Sequence, residues 1–371
     1  MWALISNVIP LYPLYALLFA HAGLSQAAIS GLFVIWSVCG IACQVPTGVL
    51  ADRFSRRGAL ALAGVGQALA FGTWIVRPSY AGFATGFVLW GVSGTLMTGS
   101  LQALLYDGLA AAGAADRYAR VRGRVTGIEL LAQIPAAGAA TALFVAGGFA
   151  LVGWVSVGMC LAWAALALTL PEAPRGDAAG GEFGGEFLAT MRAGLGEVGA
   201  SPDVRRAVIV LAALAGLDAI EEYFALLARA WGIPTVAIPV ALLGIPLAGA
   251  VGAWWAGRAS PERWGAAWPL GLGAVILGAA GVLHVAWGLA GVAAFYFLYR
   301  LVLVLADARL QDVIEGPARA TVTSVAGMAD EVSVIAVFAA WALGGVVLVA
   351  LVILAVSVLL RRRPQALRQS Q

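Results

Sequence analysis

The chain has 371 residues, 62% of them apolar and 11% charged, with 19 acids, 22 bases and a net charge of +3. Soluble domains carry about 25% charged residues, and so little charge would not cover a globular surface. A soluble enzyme, a disordered chain and a nucleic-acid binder are thereby excluded, leaving an integral membrane protein.

A helix that crosses a bilayer needs about 20 apolar residues. Along the chain such runs fall at 2–20, 27–51, 59–76, 81–105, 121–146 and 148–170. After a polar stretch they resume at 204–228, 235–255, 264–284, 285–306, 320–341 and 342–360. The runs are unbroken and lack the residue-by-residue alternation of barrel strands. The expected fold is an all-α membrane protein with twelve transmembrane helices, here spans 1–12, in two pseudo-symmetric six-helix bundles. Residues 1–170 form the first bundle, 171–203 a cytoplasmic linker, 204–361 the second bundle and 362–371 a tail. In the linker Phe187, Leu188, Met191 and Leu195 recur at helical spacing, which predicts a short amphipathic helix on the membrane surface. Span 1 has no basic residues before it and no small-residue cleavage site after it, so it is expected to be retained.

All 22 bases are Arg. With the N-terminus inside, 19 of them fall on inner segments, Arg77 and Arg229 fall outside and Arg300 lies within a span. That asymmetry predicts an inner (plasma) membrane protein with both termini cytoplasmic. Cys39, Cys43 and Cys160 sit in apolar runs and read as small core hydrophobes. With His21 and His284 in short outer loops they offer no metal site, and no cofactor is expected.

The two halves echo one another at a separation of about 200 residues, the scale of an internal repeat. Asp107 and Asp307 end spans 4 and 10, Gly127 and Gly327 lie in spans 5 and 11, and Gly48 and Gly252 lie near the ends of spans 2 and 8. A duplicated bundle with parallel repeats is the architecture of a secondary transporter.

The segment after span 2 reads VPTGVLADRFSRR, with Gly48, Asp52, Arg53, Arg56 and Arg57 in the pattern Gly-x-x-x-Asp-Arg-x-x-Arg-Arg. A glycine there lets helices approach closely, and the Arg residues hold the loop on an anionic inner face. The pattern resembles the loop 2–3 signature of the major facilitator superfamily, with Ser55 where a glycine usually sits. YPLYALLF from Tyr12, LLYDGL from Leu104 and ARATVTSVAG from Ala318 resemble a bacterial twelve-helix branch of the same family. The resemblance implies alternating access, with Asp52 pairing with Arg residues and the start of span 11 to latch the cytoplasmic side shut. The second-half counterpart, GAWWAGRASPER from Gly252, has Ala256 in place of the aspartate.

Ionisable groups within spans cost about 2.5–3.5 kcal/mol each on insertion scales, so they face a cavity or a partner. The candidates for proton coupling and substrate binding are Glu129 in span 5, Asp218, Glu221 and Glu222 in span 7, Arg300 in span 10, and Asp330 and Glu331 in span 11. On a regular helix the spacings of three and four put the span 7 acids on one face. Asp218 and Glu222 are the preferred coupling pair, with Asp330 facing them. Any of these acids could instead pair with Arg300 simply to assemble the bundle. Pro10 and Pro13 in span 1 and Pro234, Pro239 and Pro246 around span 8 are expected to interrupt helix hydrogen bonding. Trp36, Trp74, Trp254, Trp255 and Trp264 lie near span ends and read as interface anchors.

The expected function is secondary active transport of a small organic solute by a monomer in the lipid bilayer, with protons as partner and export of a cationic or amphiphilic compound. Uptake by symport and a transport-inactive receptor or scaffold are the alternatives. No catalytic constellation is present and, without any Lys, neither is a phosphate-binding loop.

Overall fold

The computed structural model describes residues 1–53, 55–172, 202–258, 267–313 and 319–361. The expected surface helix of the linker, Trp264, and the surroundings of the Gly48, Asp52 and Arg53 side chains lie outside the described residues. Among the described residues there is no strand.

Among the described residues, seven helical stretches are long and apolar enough to cross a membrane. Two helices, of 50 and 43 residues, are too long for one crossing. At ~1.5 Å per residue, the 53 residues of Ala115–Ala167 extend ~80 Å, against a ~30 Å hydrocarbon core. The helix Tyr118–Ala167 breaks at Gly147 and Gly148, and Arg319–Arg361 breaks at Gly345, so each supplies two spans. Ala267–Leu283 is span 9. Spans 1 and 7 are assembled from shorter pieces, which completes twelve crossings.

The two breaks carry the duplication more clearly than any residue match named above. Gly148 has φ 61°, ψ −157° and Gly345 has φ 59°, ψ −153°, a region that is essentially open only to glycine. The local sequences are GGFAL at 147–151 and GGVVL at 344–348. Both halves therefore turn from their fifth to their sixth span through the same corner.

The proline expectation holds in span 1, where only Trp2–Ile5 and Tyr15–His21 are helical. Between them the Leu11 N–H donates to Ser156 Oγ at 3.0 Å, so span 6 satisfies a backbone group that the break releases. Span 8 is likewise in pieces, with Ile238–Ala241 separate from Gly244–Ala256.

The chain forms two compact units. One comprises Met1–Gly184 with Pro234–Leu243, and the other Gly185–Ile233 with Gly244–Gln371. In the first, Tyr12, Tyr15, Phe19, Phe33, Phe71, Trp74, Phe83, Phe87 and Trp90 build an aromatic core. Trp74 is fully buried in this core and donates its indole N–H to the Phe83 carbonyl at 3.0 Å, which corrects its reading as an interface anchor. The paired ring edges and the satisfied N–H explain why it lies inside. Trp254 and Trp255 are exposed, as an interface position requires.

In the second unit span 8 crosses span 10 so closely that a Cβ added at Gly252 would run into the Phe297 carbonyl oxygen. Gly252→Val is therefore expected to lower stability by about 1–3 kcal/mol, the cost of overpacking a tight contact. Thermal unfolding of the purified variant in detergent measures it.

Candidate functional site

The loop motif starts span 3. Ser55 caps the helix Arg56–Val76 by accepting from the Gly58 N–H at 3.1 Å. Glu172, just past span 6, completes the cap: it accepts from Ser55 Oγ and from the Arg56 N–H, both at 2.8 Å, and lies 3.5 Å from Arg57 Nε. A carboxylate on the orphan donors of a helix N-terminus is favourable in both hydrogen bonding and dipole terms. The Arg56 side chain pairs with Asp107 and donates to the Ala103 carbonyl, tying span 3 to the end of span 4. Glu172 was not legible as part of this site, since in sequence it is one acid among several in a polar linker.

The acids of span 7 do not lie on a regular α-helix. The span runs Pro202–Ala215 as α-helix, Gly216–Tyr223 as a 3₁₀ stretch and Phe224–Ala230 as α-helix again. With three residues per turn, positions i and i+3 eclipse. Asp218 and Glu221 therefore share a line, and Glu222 is turned ~120° away from both. This corrects the expectation of three acids on one face. Packing accounts for the tightened stretch: a Cβ at Gly216 would strike Ser333 of span 11, and Tyr223 at the far end stacks on Trp341 with centroids 4.0 Å apart.

Span 10 meets Asp218 and Glu221 with Tyr296 and Arg300, four residues apart and so on one helix face. Arg300 Nη1 lies 3.0 Å from Asp218 Oδ2 and 3.4 Å from Oδ1. The Tyr296 hydroxyl lies 3.1 Å from Asp218 Oδ1 and 3.4 Å from Glu221 Oε2. Gly249 of span 8 forms the floor, where an added Cβ would stand 2.6 Å from Tyr296 Cδ1 and 3.0 Å from Arg300 Cγ. The Asp218–Arg300 ion pair is 38% and 35% exposed, so it is open to a solute or to water rather than sealed.

Asp330 lies within electrostatic reach of Asp218 and Glu331, and its Oδ1 is buried without a hydrogen-bond partner among the described residues. The buried Tyr299 hydroxyl is also without one. Glu222 and Glu331 are half-buried. Glu129, a candidate for coupling or substrate binding from the sequence, pairs with Arg122 two turns earlier on its own helix, at 3.4 Å. Sequence reasoning missed Tyr296, because a tyrosine in an apolar span reads as core; its distance of four residues from Arg300 was the available signal.

Twelve crossings in two repeats, with the mid-span charges other than the Arg122–Glu129 pair in the second, define a secondary-transporter architecture. A family model described as Major Facilitator Superfamily matches residues 1–349, and the chain belongs to that family. Its fold is similar to that of the nucleoside transporter NupG, at 11% identity over 96% of each chain with TM-score 0.69. It is also similar to a D-xylose-proton symporter, at 13% identity over 97% of this chain and 96% of that one with TM-score 0.68. A bacterial homologue of the human lysosomal transporter Spinster aligns at 14% identity over 97% of this chain and 92% of that one, with TM-score 0.70. No curated protein sequence matches the chain.

Proposed function

We propose that the protein is a proton-coupled secondary transporter that exports a small organic cation or amphiphilic base across the inner membrane by alternating access. Asp218, Glu221, Tyr296 and Arg300 are the coupling group, with Asp330, Glu222 and Glu331 as further carboxylates for the solute. Glu129, with its own Arg122, is assigned a structural role.

One observation carries this reading: the Tyr296 hydroxyl touches two carboxylates while Arg300 touches one of them. A phenol has a single O–H to donate. It can donate to Asp218 or to Glu221, and the other contact is attractive only when that carboxyl carries a proton. Arg300 fixes Asp218 as the charged member, so the proton belongs on Glu221, which donates to Tyr296 as Tyr296 donates to Asp218. Loss of the Glu221 proton leaves two carboxylates facing one guanidinium, an arrangement that a cationic solute relieves. Proton and cation then compete for the same carboxylate, and competition of this kind is exchange.

Uptake by symport would use the same carboxylates. It is favoured by one observation, the likeness in fold to a D-xylose-proton symporter. Proteoliposome flux over a panel of organic cations and neutral solutes, with the pH gradient imposed in each direction, separates the two. Antiport predicts cation accumulation on the acidic side, and symport predicts accumulation on the alkaline side.

The loop motif is assigned the cytoplasmic latch. Asp52→Asn is expected to slow transport severalfold while solute binding persists, because the change lies at the end of span 2 and far along the chain from the coupling group. Paired flux and equilibrium-binding measurements check it, and a normal transport rate would remove the latch role.

A further inference from the structure

Spans 3 and 6 touch near both ends of a shared groove. A Cβ at Gly64 would stand 2.6 Å from Ala164 Cβ, and a Cβ at Gly153 would strike Ile75. Between them lies a cavity of about 410 Å³ lined by apolar side chains, among them Val65, Leu69 and Val76 from span 3 and Trp154 and Leu161 from span 6. These five are all exposed. Gly72 belongs to the lining, and a Cβ added there would meet nothing within 4 Å, so the glycine leaves open space. From Val65 to Val76 the groove runs ~16 Å, which is about half of a ~30 Å hydrocarbon core and so the depth of one leaflet.

The end of the groove is charged. Arg77 belongs to its lining and stands at the C-cap of the helix Arg56–Val76, where its backbone N–H is taken by the Thr73 carbonyl. Its side chain is exposed and has no carboxylate partner among the described residues. It is also one of only two Arg assigned to the side opposite the 19 others. A guanidinium at headgroup level, above an apolar slot of leaflet depth, matches a phosphate above an acyl chain. Guanidinium binds phosphate through two parallel hydrogen bonds, and a second positive charge on the headgroup would oppose it.

We propose that this groove binds one anionic phospholipid, with an acyl chain between spans 3 and 6 and its phosphate on Arg77. In the orientation argued above this is a lipid of the outer leaflet. The site is separate from the coupling group, and its test does not depend on transport.

The test is native mass spectrometry of the purified protein with phosphatidylglycerol and phosphatidylcholine of identical chains. The wild type is expected to retain phosphatidylglycerol roughly tenfold better, the scale of one charge-assisted pair. Arg77→Ala should make the two lipids equal. Gly72→Leu, which fills the slot and suits a helix, should reduce binding of both. Thermal unfolding of each variant confirms that it is folded. Equal retention of the two lipids by the wild type, or an unchanged preference in Arg77→Ala, would overturn the proposal.

Discussion

A protein carrying Asp218→Asn and Glu221→Gln together is expected to exchange solute across the membrane yet fail to concentrate it when a pH gradient is imposed. Both replacements keep the side-chain shape and hydrogen-bonding capacity but remove the proton that can be traded. Tyr296 then bridges two neutral amides, and nothing in the cluster distinguishes the two sides of the gradient. Glu222→Gln is the informative control. In the 3₁₀ register Glu222 points away from Tyr296, so this variant should keep its dependence on the gradient. Counterflow and gradient-driven accumulation in proteoliposomes separate the two behaviours. If Glu222→Gln uncouples transport and Glu221→Gln does not, the α-helical pairing of Asp218 with Glu222 operates instead.

Replacing Arg300 by Met should cost the protein up to about 2.5–3.5 kcal/mol, the insertion cost of one uncompensated charge in a span. The Asp218 carboxylate loses its ion-pair partner at 3.0 Å, and the half-exposed site offers only partial solvation in return. Asp218→Asn combined with Arg300→Met removes both charges and should recover most of that stability, because an ion pair replaced as a unit is far less costly than one broken. Transport should stay low in both. A double-mutant cycle on thermal unfolding in detergent measures the coupling between the two residues. Equal destabilisation in the single and double variants would mean that Arg300 acts through packing on Gly249 and Tyr296 rather than through charge.

The twelve spans were legible because lipid leaves backbone groups no partner outside the helix, so each crossing shows as an apolar run. The breaks were partly legible. Pro10 and Pro13 announce the interruption of span 1, whereas Gly148 and Gly345 are two among 47 glycines and reveal their corner only through φ. The acids of span 7 are visible in the sequence as charges within an apolar run, but their register is not. Nothing in GLDAIEEY distinguishes 3₁₀ from α-helix, since the tightening depends on the close approach of Gly216 to Ser333 more than a hundred residues later. The Arg122–Glu129 pair is hidden for a similar reason. Arg122 stands at the inner end of span 5, and its long side chain extends along the helix to reach Glu129. Trp74 shows the opposite limit, as position near a span end predicted an interface while five aromatic neighbours in the fold made it core.

The most direct test of the coupling group follows the proton itself. Proteoliposomes containing the wild type or Glu221→Gln are loaded with a pH-sensitive dye, and organic cations are added outside one at a time. At least one cation should drive proton movement out of wild-type vesicles in step with its own entry and cause none in Glu221→Gln vesicles. The same proton movement in both proteins would contradict the assignment of the exchanged proton to Glu221.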